Sequence, residues 1–385
     1  MGFLESGFVN LLDNTLNQSA PLYVQYYTTA RCNLRCEQCN VIYANADKRE
    51  LKTEDAFQVI DNLAELGTSV LLLTGGEPFI RSDLPKLAGR ALAKGVHPRI
   101  QTNGLASEKA LKECANFGVR DISISLDSLH GNKQDFLNGG FDASWEAAIK
   151  TISSISTTLG QNTFAAFGCV FSPFNFKEVT NVIEFATEIG WWVSLVPAHS
   201  TSPFEPRSFS TFNTSVEFDP QTYPEVDLVI AQIRKMKKEG YHIYDSDQYI
   251  DDLQRFVKKE KITWRDRNAG VCDAGSLYFA VMPDGSLAPC CDWRLDEDIP
   301  VHGSSFVEEY RKGLFKSKIL DKSKSCSGCL YGSYPEITIS ARFAKAALER
   351  TKLFLMESRA EIKNLSPDEL TVLAQKISGK SKHAV

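Results

Sequence analysis

The sequence predicts an α/β fold, and three observations predict it. Short apolar runs alternate with amphipathic helical patterns about six times between residues 20 and 200. Several helical patterns end on glycine. The helical stretches are long enough for right-handed crossovers between parallel strands. Such a βα series is compatible with a doubly wound sheet, a full eight-stranded barrel or a partial barrel.

The elements follow in order. YVQYYTT (23–29) is a strand that feeds a cysteine-rich loop. TEDAFQVIDNLAELG (53–67) is a helix, with Thr53 expected as its N-cap and Gly67 as its stop. SVLLLTGGEPF (69–79) is a buried strand ending in a Gly-Gly turn. DLPKLAGRALAKG (83–95) is the next helix and HPRIQTNG (97–104) the next strand. SEKALKECANFG (107–118) precedes VRDISISLDS (119–128), and WEAAIKTISSIS (145–156) precedes TFAAFGCVFSP (163–173). KEVTNVIEFATEIG (177–190) leads into WWVSLVPA (191–198).

Residues 1–20 read as an N-terminal extension, a short amphipathic helix without a basic leader. Residues 21–200 form the core. Segment 201–270 holds a Ser/Thr/Pro-rich linker or lid and a helix pair. A cysteine-rich module spans 271–335, and helices fill 336–385, with Ser366 opening a capped helix. Phe204, Phe209, Phe212, Phe218 and Tyr223 either cover an apolar substrate or pack.

A net charge of -5 argues against a nucleic-acid partner. At 43% hydrophobic and 24% charged residues, the chain reads as an ordinary globular protein. No apolar run reaches transmembrane length. Ten cysteines without an export signal point to a reduced, cytoplasmic setting.

Cys32, Cys36 and Cys39 are spaced C-x3-C-x2-C. Three thiolates leave one iron of a [4Fe–4S] cluster open, whereas zinc sites more often use paired C-x2-C units. TGGEP (74–78) supplies Gly75, Gly76, Glu77 and Pro78 at a strand end. Period-two geometry puts Ser123, Ser125 and Asp127 opposite Ile122, Ile124 and Leu126. A half-exposed structural strand is the alternative reading.

These motifs resemble those of the radical S-adenosylmethionine (SAM) superfamily. The resemblance selects the partial (β/α)6 TIM-like barrel, with functional groups at the carboxyl ends of the strands. It implies that SAM binds the open iron and is cleaved by one electron to a 5′-deoxyadenosyl radical. It assigns Glu77, with Gly75, Gly76 and Pro78, to the SAM amino group. Ser123, Ser125 and Asp127 fall to the ribose or methionine carboxylate, Val196 to the adenine, and Asn103 to SAM or substrate. Gln38 departs from the family, which usually has an aromatic residue there beside the adenine.

SLYFAVMPDGSLAPC reads as a β-hairpin around a Pro-Asp-Gly turn. It brings Cys272 and Cys290 together, and Cys326-x2-Cys329 closes the set. This resembles the twitch form of the SPASM domain and implies one auxiliary [4Fe–4S] cluster; a structural zinc is the alternative. Four thiolates close a cluster and suit it to carry an electron. Cys291 reads as a substitute ligand, a hydrogen-atom donor or a packed residue. Cys169 reads as a catalyst or a core residue, and Cys114 as core. His199 is the one histidine placed near the expected site.

The function expected is a radical SAM oxidoreductase that abstracts hydrogen from a small molecule or peptide. A flavodoxin or ferredoxin is the implied reductant. Epimerase, peptide maturase, methyltransferase and non-catalytic iron–sulfur carrier are the alternatives.

Overall fold

The computed structural model describes residues 20–45, 48–160, 163–202, 210–265, 272–324, 326, 328–355 and 361–380. The expected N-terminal helix, Phe204 and Phe209 lie outside the described residues.

Eight strands form one sheet in the order β6-β5-β4-β3-β2-β1-β7-β8. They are β1 (Tyr23–Tyr27), β2 (Val70–Thr74), β3 (His97–Thr102), β4 (Asp121–Ser125), β5 (Phe164–Phe171), β6 (Trp192–Pro197), β7 (Tyr278–Val281) and β8 (Leu287–Ala288). β1 to β6 pair in parallel with their sequence neighbours. Each crossover carries a helix: α1 (Thr53–Leu66), α2 (Leu84–Ala93), α3 (Glu108–Phe117), α4 (Ser144–Thr158) and α5 (Val179–Ile189). This is the alternating βα core of a partial barrel. α6 (Tyr223–Lys238) and α7 (Asp247–Val257) follow it.

The two faces of the sheet differ in chemistry. Leu71, Leu73, Ile100, Ile122, Ile124 and Phe167 are fully buried on the outer, helix-packed face. Phe167 meets Phe185 of α5 at 6.0 Å and Trp191 at 4.8 Å between ring centroids. Cross-strand partners share a face. The register Gln101↔Ser123, Ser123↔Ala166, Ser125↔Gly168, Gly168↔Ser194 and Val170↔Val196 therefore collects a polar, small-residue set on the inner face.

The predicted hairpin is present, with β7 antiparallel to β8. It is continuous with the barrel, because β7 runs parallel to β1 with Tyr23↔Tyr278 in register. α8 (Ser333–Arg342) then covers part of the inner face. Tyr23 Oη donates to Ser333 Oγ at 3.1 Å, and Tyr334 stacks on Tyr278 at 4.6 Å. A Cβ on Gly332 would lie 3.4 Å from Val196 Cγ2, so the helix start reaches across to β6.

Of two expected caps, one forms and the other does not. Ser366 accepts from Glu369 N–H at 3.3 Å while Glu369 Oε2 accepts from Ser366 N–H at 2.8 Å, a reciprocal capping box. Thr53 does not cap α1. Lys52 holds the cap position, and the Thr53 hydroxyl donates to Asp83 Oδ2 at 2.7 Å instead. Arg81 fixes that carboxylate from the other side at 2.7 Å. Phe218 packs on Phe171 and Phe176 and also lines a surface cleft. No described helix is long and apolar enough to cross a membrane.

Asp245 anchors β6 from within. Its Oδ1 accepts from Ser194 Oγ at 2.8 Å and its Oδ2 from Leu195 N–H at 2.7 Å. Burial, then the neighbouring Glu336 carboxyl, pushes its pKa up to about 7. The unfolded chain ionises this group near pH 4. Its stabilising effect is therefore complete below about pH 4 and lost as pH rises through 7. Between those limits one such group lowers stability by about 1.4 kcal/mol per pH unit. Urea unfolding of wild type should show a midpoint falling from pH 5 to pH 7. Asp245→Asn, which resembles the protonated form, should flatten that slope; an unchanged slope would refute the assignment.

Candidate functional site

The first cysteine loop leaves β1 and is held by the turn that ends β2. Thr28 N–H donates to Thr74 O at 2.8 Å, Gly76 N–H to Thr29 O at 2.9 Å, and Glu77 N–H to Arg31 O at 2.8 Å. A Cβ on Gly75 would lie 2.4 Å from Thr29 O, and one on Gly76 2.2 Å from Arg31 O. The two glycines thus admit the backbone leading into Cys32, which is the close approach that the Gly-Gly turn makes in this fold.

Cys32, Cys36 and Cys39 are all half-buried. Burial, reinforced by Cys39, Asp127 and Cys32, holds the Cys36 thiol well above its usual range. Burial, opposed in part by a backbone hydrogen bond and reinforced by Cys32, pushes Cys39 up to about 11. Three thiols in one another's field resist ionisation together. A cationic iron centre would reverse that cost, since thiolates are its ligands. Leu34 N–H points at Cys32 Sγ at 3.4 Å, and Asn103 Nδ2 lies 3.8 Å from the same sulfur. Among the described residues, no group of three or more His, Cys, Asp or Glu side chains is arranged to hold a single metal ion.

Glu77 is buried between β2 and β3. Its Oε1 accepts from Phe79 N–H at 3.0 Å and Thr102 Oγ1 at 2.9 Å, and its Oε2 accepts from Asn103 N–H at 2.7 Å. Burial pushes its pKa up to about 7 against those three bonds. Pro78 begins the short turn that follows. Asn103 donates from Nδ2 to Asn33 Oδ1 at 2.7 Å, which joins the end of β3 to the cysteine loop.

On the other side of the loop, Gln38 Nε2 donates to Asp127 Oδ2 at 2.9 Å, and Val170 N–H donates to Asp127 Oδ1 at 2.6 Å. Burial pushes Asp127 up to about 7. Gln38 Oε1 is buried and has no hydrogen-bond partner in the structure. Ser123 and Ser125 share the inner face with Val170 and Val196, as their register requires. The structure thus gathers Gln38, Asn103, Ser123, Ser125, Asp127 and Val196 about the cysteine loop and the inner face of β3 to β6.

The later cysteines meet at a second place. Cys272, Cys290, Cys326 and Cys329 line one cavity of about 30 Å³, walled by Trp264, Tyr278, Trp293 and Tyr334. Cys291 is not in that lining; it is buried, with Tyr27, Tyr331 and Tyr334 close enough to feel its charge. A hydrogen bond from Cys291 lowers the Cys290 thiol. Cys169 lies on the outer face of β5 with Phe167 and Phe171, and Asn175 Nδ2 is 3.9 Å from its sulfur. The strand's phase gives the inner face to Gly168 and Val170, so Cys169 faces the helices, though near enough to Asp127 and Asp245 to feel their charge.

A larger cleft of about 420 Å³ opens beyond β6. Phe218, Phe256 and Ile262 line it together with Lys259, Lys261 and Arg265. It shares Arg265 and Gly328 with the four-cysteine cavity.

Several contacts carry no local sequence signal. Asn213 Nδ2 donates to Glu37 Oε2 at 3.1 Å, tying the lid segment to the first cysteine loop. Arg294 donates to Asn45 Oδ1 at 3.1 Å and to Cys291 O at 3.1 Å, tying the two cysteine regions together. They join residues far apart in the chain through ordinary side chains, so no spacing rule finds them.

Comparison with known proteins agrees with this geometry. The family described as the radical SAM superfamily matches residues 26–192. An Fe-coproporphyrin III synthase of Methanosarcina barkeri is 39% identical over 306 residues, covering 75% of this chain and 70% of that protein. An AdoMet-dependent heme synthase of the same organism is 25% identical over 280 residues, covering 71% and 77%. Streptococcus suis SuiB bound to its precursor peptide SuiA superposes with a TM-score of 0.60 at 14% identity, over 83% of this chain and 71% of that one. Native anSMEcpe with bound AdoMet gives 0.58 at 15% identity, over 95% and 100%. At such identities the two structures speak for the fold alone.

Gly76→Ala should lower stability by about 1–3 kcal/mol, the usual range for overpacking against groups that cannot yield. Gly379→Ala in the last helix, where a Cβ meets nothing within 4 Å, should be neutral or stabilising. Thermal melts of both variants check this; equal melting temperatures would contradict the close-approach account.

Proposed function

The chain belongs to the radical SAM superfamily, and from that premise we propose an oxidising reaction on a carboxylate-bearing tetrapyrrole, with the four-cysteine cavity as electron acceptor. Cleavage of SAM and hydrogen abstraction from a small molecule or peptide follow from the membership. A SAM-binding [4Fe–4S] cluster and SAM are consistent with it.

The residues fit both groups. Cys32, Cys36 and Cys39 would hold the first cluster, and Cys272, Cys290, Cys326 and Cys329 an auxiliary one. When bound, these groups supply an electron to split SAM into methionine and a 5′-deoxyadenosyl radical, and a place for the electron the substrate radical gives up. Hydrogen atom and electron together make a two-electron oxidation of substrate. Asn103, held by Glu77, presents its side chain toward Cys32. Ser123, Ser125, Asp127 and Val196 offer the polar and apolar contacts that SAM needs. Gln38 Oε1 is an unfilled acceptor beside Cys39, suited to an N–H donor of the adenine.

The four-cysteine cavity carries the electron-acceptor reading. A small site walled by Trp264, Tyr278, Trp293 and Tyr334 shelters a cluster better than it admits substrate. The substrate class is supported by the two relatives whose names give tetrapyrrole products. The large cleft suits it in size and in its apolar walls, Phe218, Phe256 and Ile262; its cations stand beside two carboxylates, Glu217 and Glu260, and Lys259 pairs with Glu217 at 2.6 Å. A low-potential flavodoxin or ferredoxin is the proposed reductant.

Anaerobically reconstituted protein, reduced in the presence of SAM, should yield 5′-deoxyadenosine and not S-adenosylhomocysteine. An iron porphyrin bearing propionates should speed that release and itself be oxidised, read by mass; no acceleration would overturn the substrate class. Cys326→Ala should drop the iron content from about eight to about four per chain. An unchanged content would remove the auxiliary cluster. Gln38→Leu should weaken SAM binding about 5- to 100-fold, the weight of a buried acceptor gaining or lacking its partner. Isothermal titration checks this, and unchanged affinity would separate Gln38 from SAM.

A further inference from the structure

His199 lies two residues beyond the end of β6 and is buried. Its Nδ1 sits 2.6 Å from Pro197 O. A carbonyl offers no proton, so Nδ1 carries one and donates it. Nε2 is then the acceptor, and Leu330 N–H donates to it at 3.0 Å. The ring stacks on Tyr331 with centroids 3.7 Å apart and planes 21° apart, and Phe256 closes the other side at 4.5 Å. Tyr249 Oη lies 2.8 Å from both Leu195 O and Leu330 O.

These contacts converge on the peptide directly after Cys329, a lining residue of the four-cysteine cavity. The next amide, that of Tyr331, lies close enough to the Cys329 sulfur to favour its thiolate. Its direction depends on the Leu330 peptide, and that peptide is held to β6 by an imidazole acceptor, a ring stack and a hydroxyl. Hydrogen bonds to ligand sulfurs raise a cluster's reduction potential by stabilising the reduced, more negative state.

We infer that His199 is a positioning residue for the auxiliary centre: it fixes the 329–331 peptide, and with it the backbone dipoles beside Cys329 Sγ, and thereby sets that centre's reduction potential. The inference rests on the auxiliary cluster proposed above. It gives β6 a second task, since the strand whose inner face borders the SAM side also bears the electron acceptor's ligand loop. A residue of similar size without an acceptor at the Nε2 position would leave the buried Leu330 N–H unpaired and free the peptide to turn.

The test uses the full chain, reconstituted without oxygen, as wild type, His199→Phe and His199→Gln. Glutamine can place an oxygen near the Nε2 position; phenylalanine keeps the stack and removes the acceptor. Iron is counted first, and each centre is then titrated under electron paramagnetic resonance (EPR). With about eight irons in all three, His199→Phe should change the auxiliary signal. It should also lower its reduced-to-oxidised ratio at a fixed solution potential about fivefold, the weight of one hydrogen bond of about 1 kcal/mol. His199→Gln should stay near wild type, and the first centre's signal should not move. Loss of about four irons in His199→Phe alone supports the same role. The assignment falls if His199→Phe titrates as wild type, or if both variants change alike. A wild type holding only about four irons overturns the auxiliary cluster itself, and shows this before any substitution is read.

Discussion

The approach of one backbone to another at the end of β2 is the constraint on which the rest of the structure depends. Gly75 and Gly76 let the chain before Cys32 lie against the strand end, with Gly76 and Glu77 donating to Thr29 O and Arg31 O. This fixes where the cysteine loop begins relative to the sheet. Glu77 then reaches across to β3 and orients Asn103, while Gln38 reaches the other way to Asp127. The loop is therefore strung between β2, β3 and the end of β4. None of these bonds is strong alone; their common geometry requires two residues without a Cβ.

The second cysteine site is built on the same frame. β7 extends the barrel sheet beside β1, and α8 folds back over the inner face until Gly332 meets Val196. The strand that leads into the first cysteines and the strand that follows Cys272 are thus neighbours in register. Arg294 and the Ser210–Tyr331 hydroxyl pair, at 2.7 Å, join the remaining segments. The four-cysteine cavity is therefore carried by the barrel sheet itself, with no long linker between the two cysteine sites. The cost is a crowded, polar interior, in which Asp245 and Glu336 are buried together.

Much of this was legible in the sequence because it depends on local periodicity or spacing. The βα alternation, the Ser366 cap, the hairpin around Gly285 and the phase of Ser123 and Ser125 all follow from rules that act within a few residues. The gathering of Cys272, Cys290, Cys326 and Cys329 was legible from the hairpin and the later pair. What depends on tertiary partners was not. Thr53 carries the right chemistry for a cap, yet Asp83 takes its hydroxyl. Pairing of β7 with β1 has no signature, since both are short apolar runs. The outward phase of Cys169 depends on which face the helices cover. The resemblance assigns Gly75 and Gly76 to SAM with Glu77, whereas the group that their missing Cβ atoms admit is the chain itself.

The central claim is that one barrel sheet supports two redox centres of which only the first meets SAM. The most direct measurement is the low-temperature EPR spectrum of the anaerobically reconstituted, fully reduced protein, recorded with and without SAM. Two [4Fe–4S]⁺ signals are predicted, one shifted by SAM and one unmoved. A single signal, or two that both shift on adding SAM, would contradict the account.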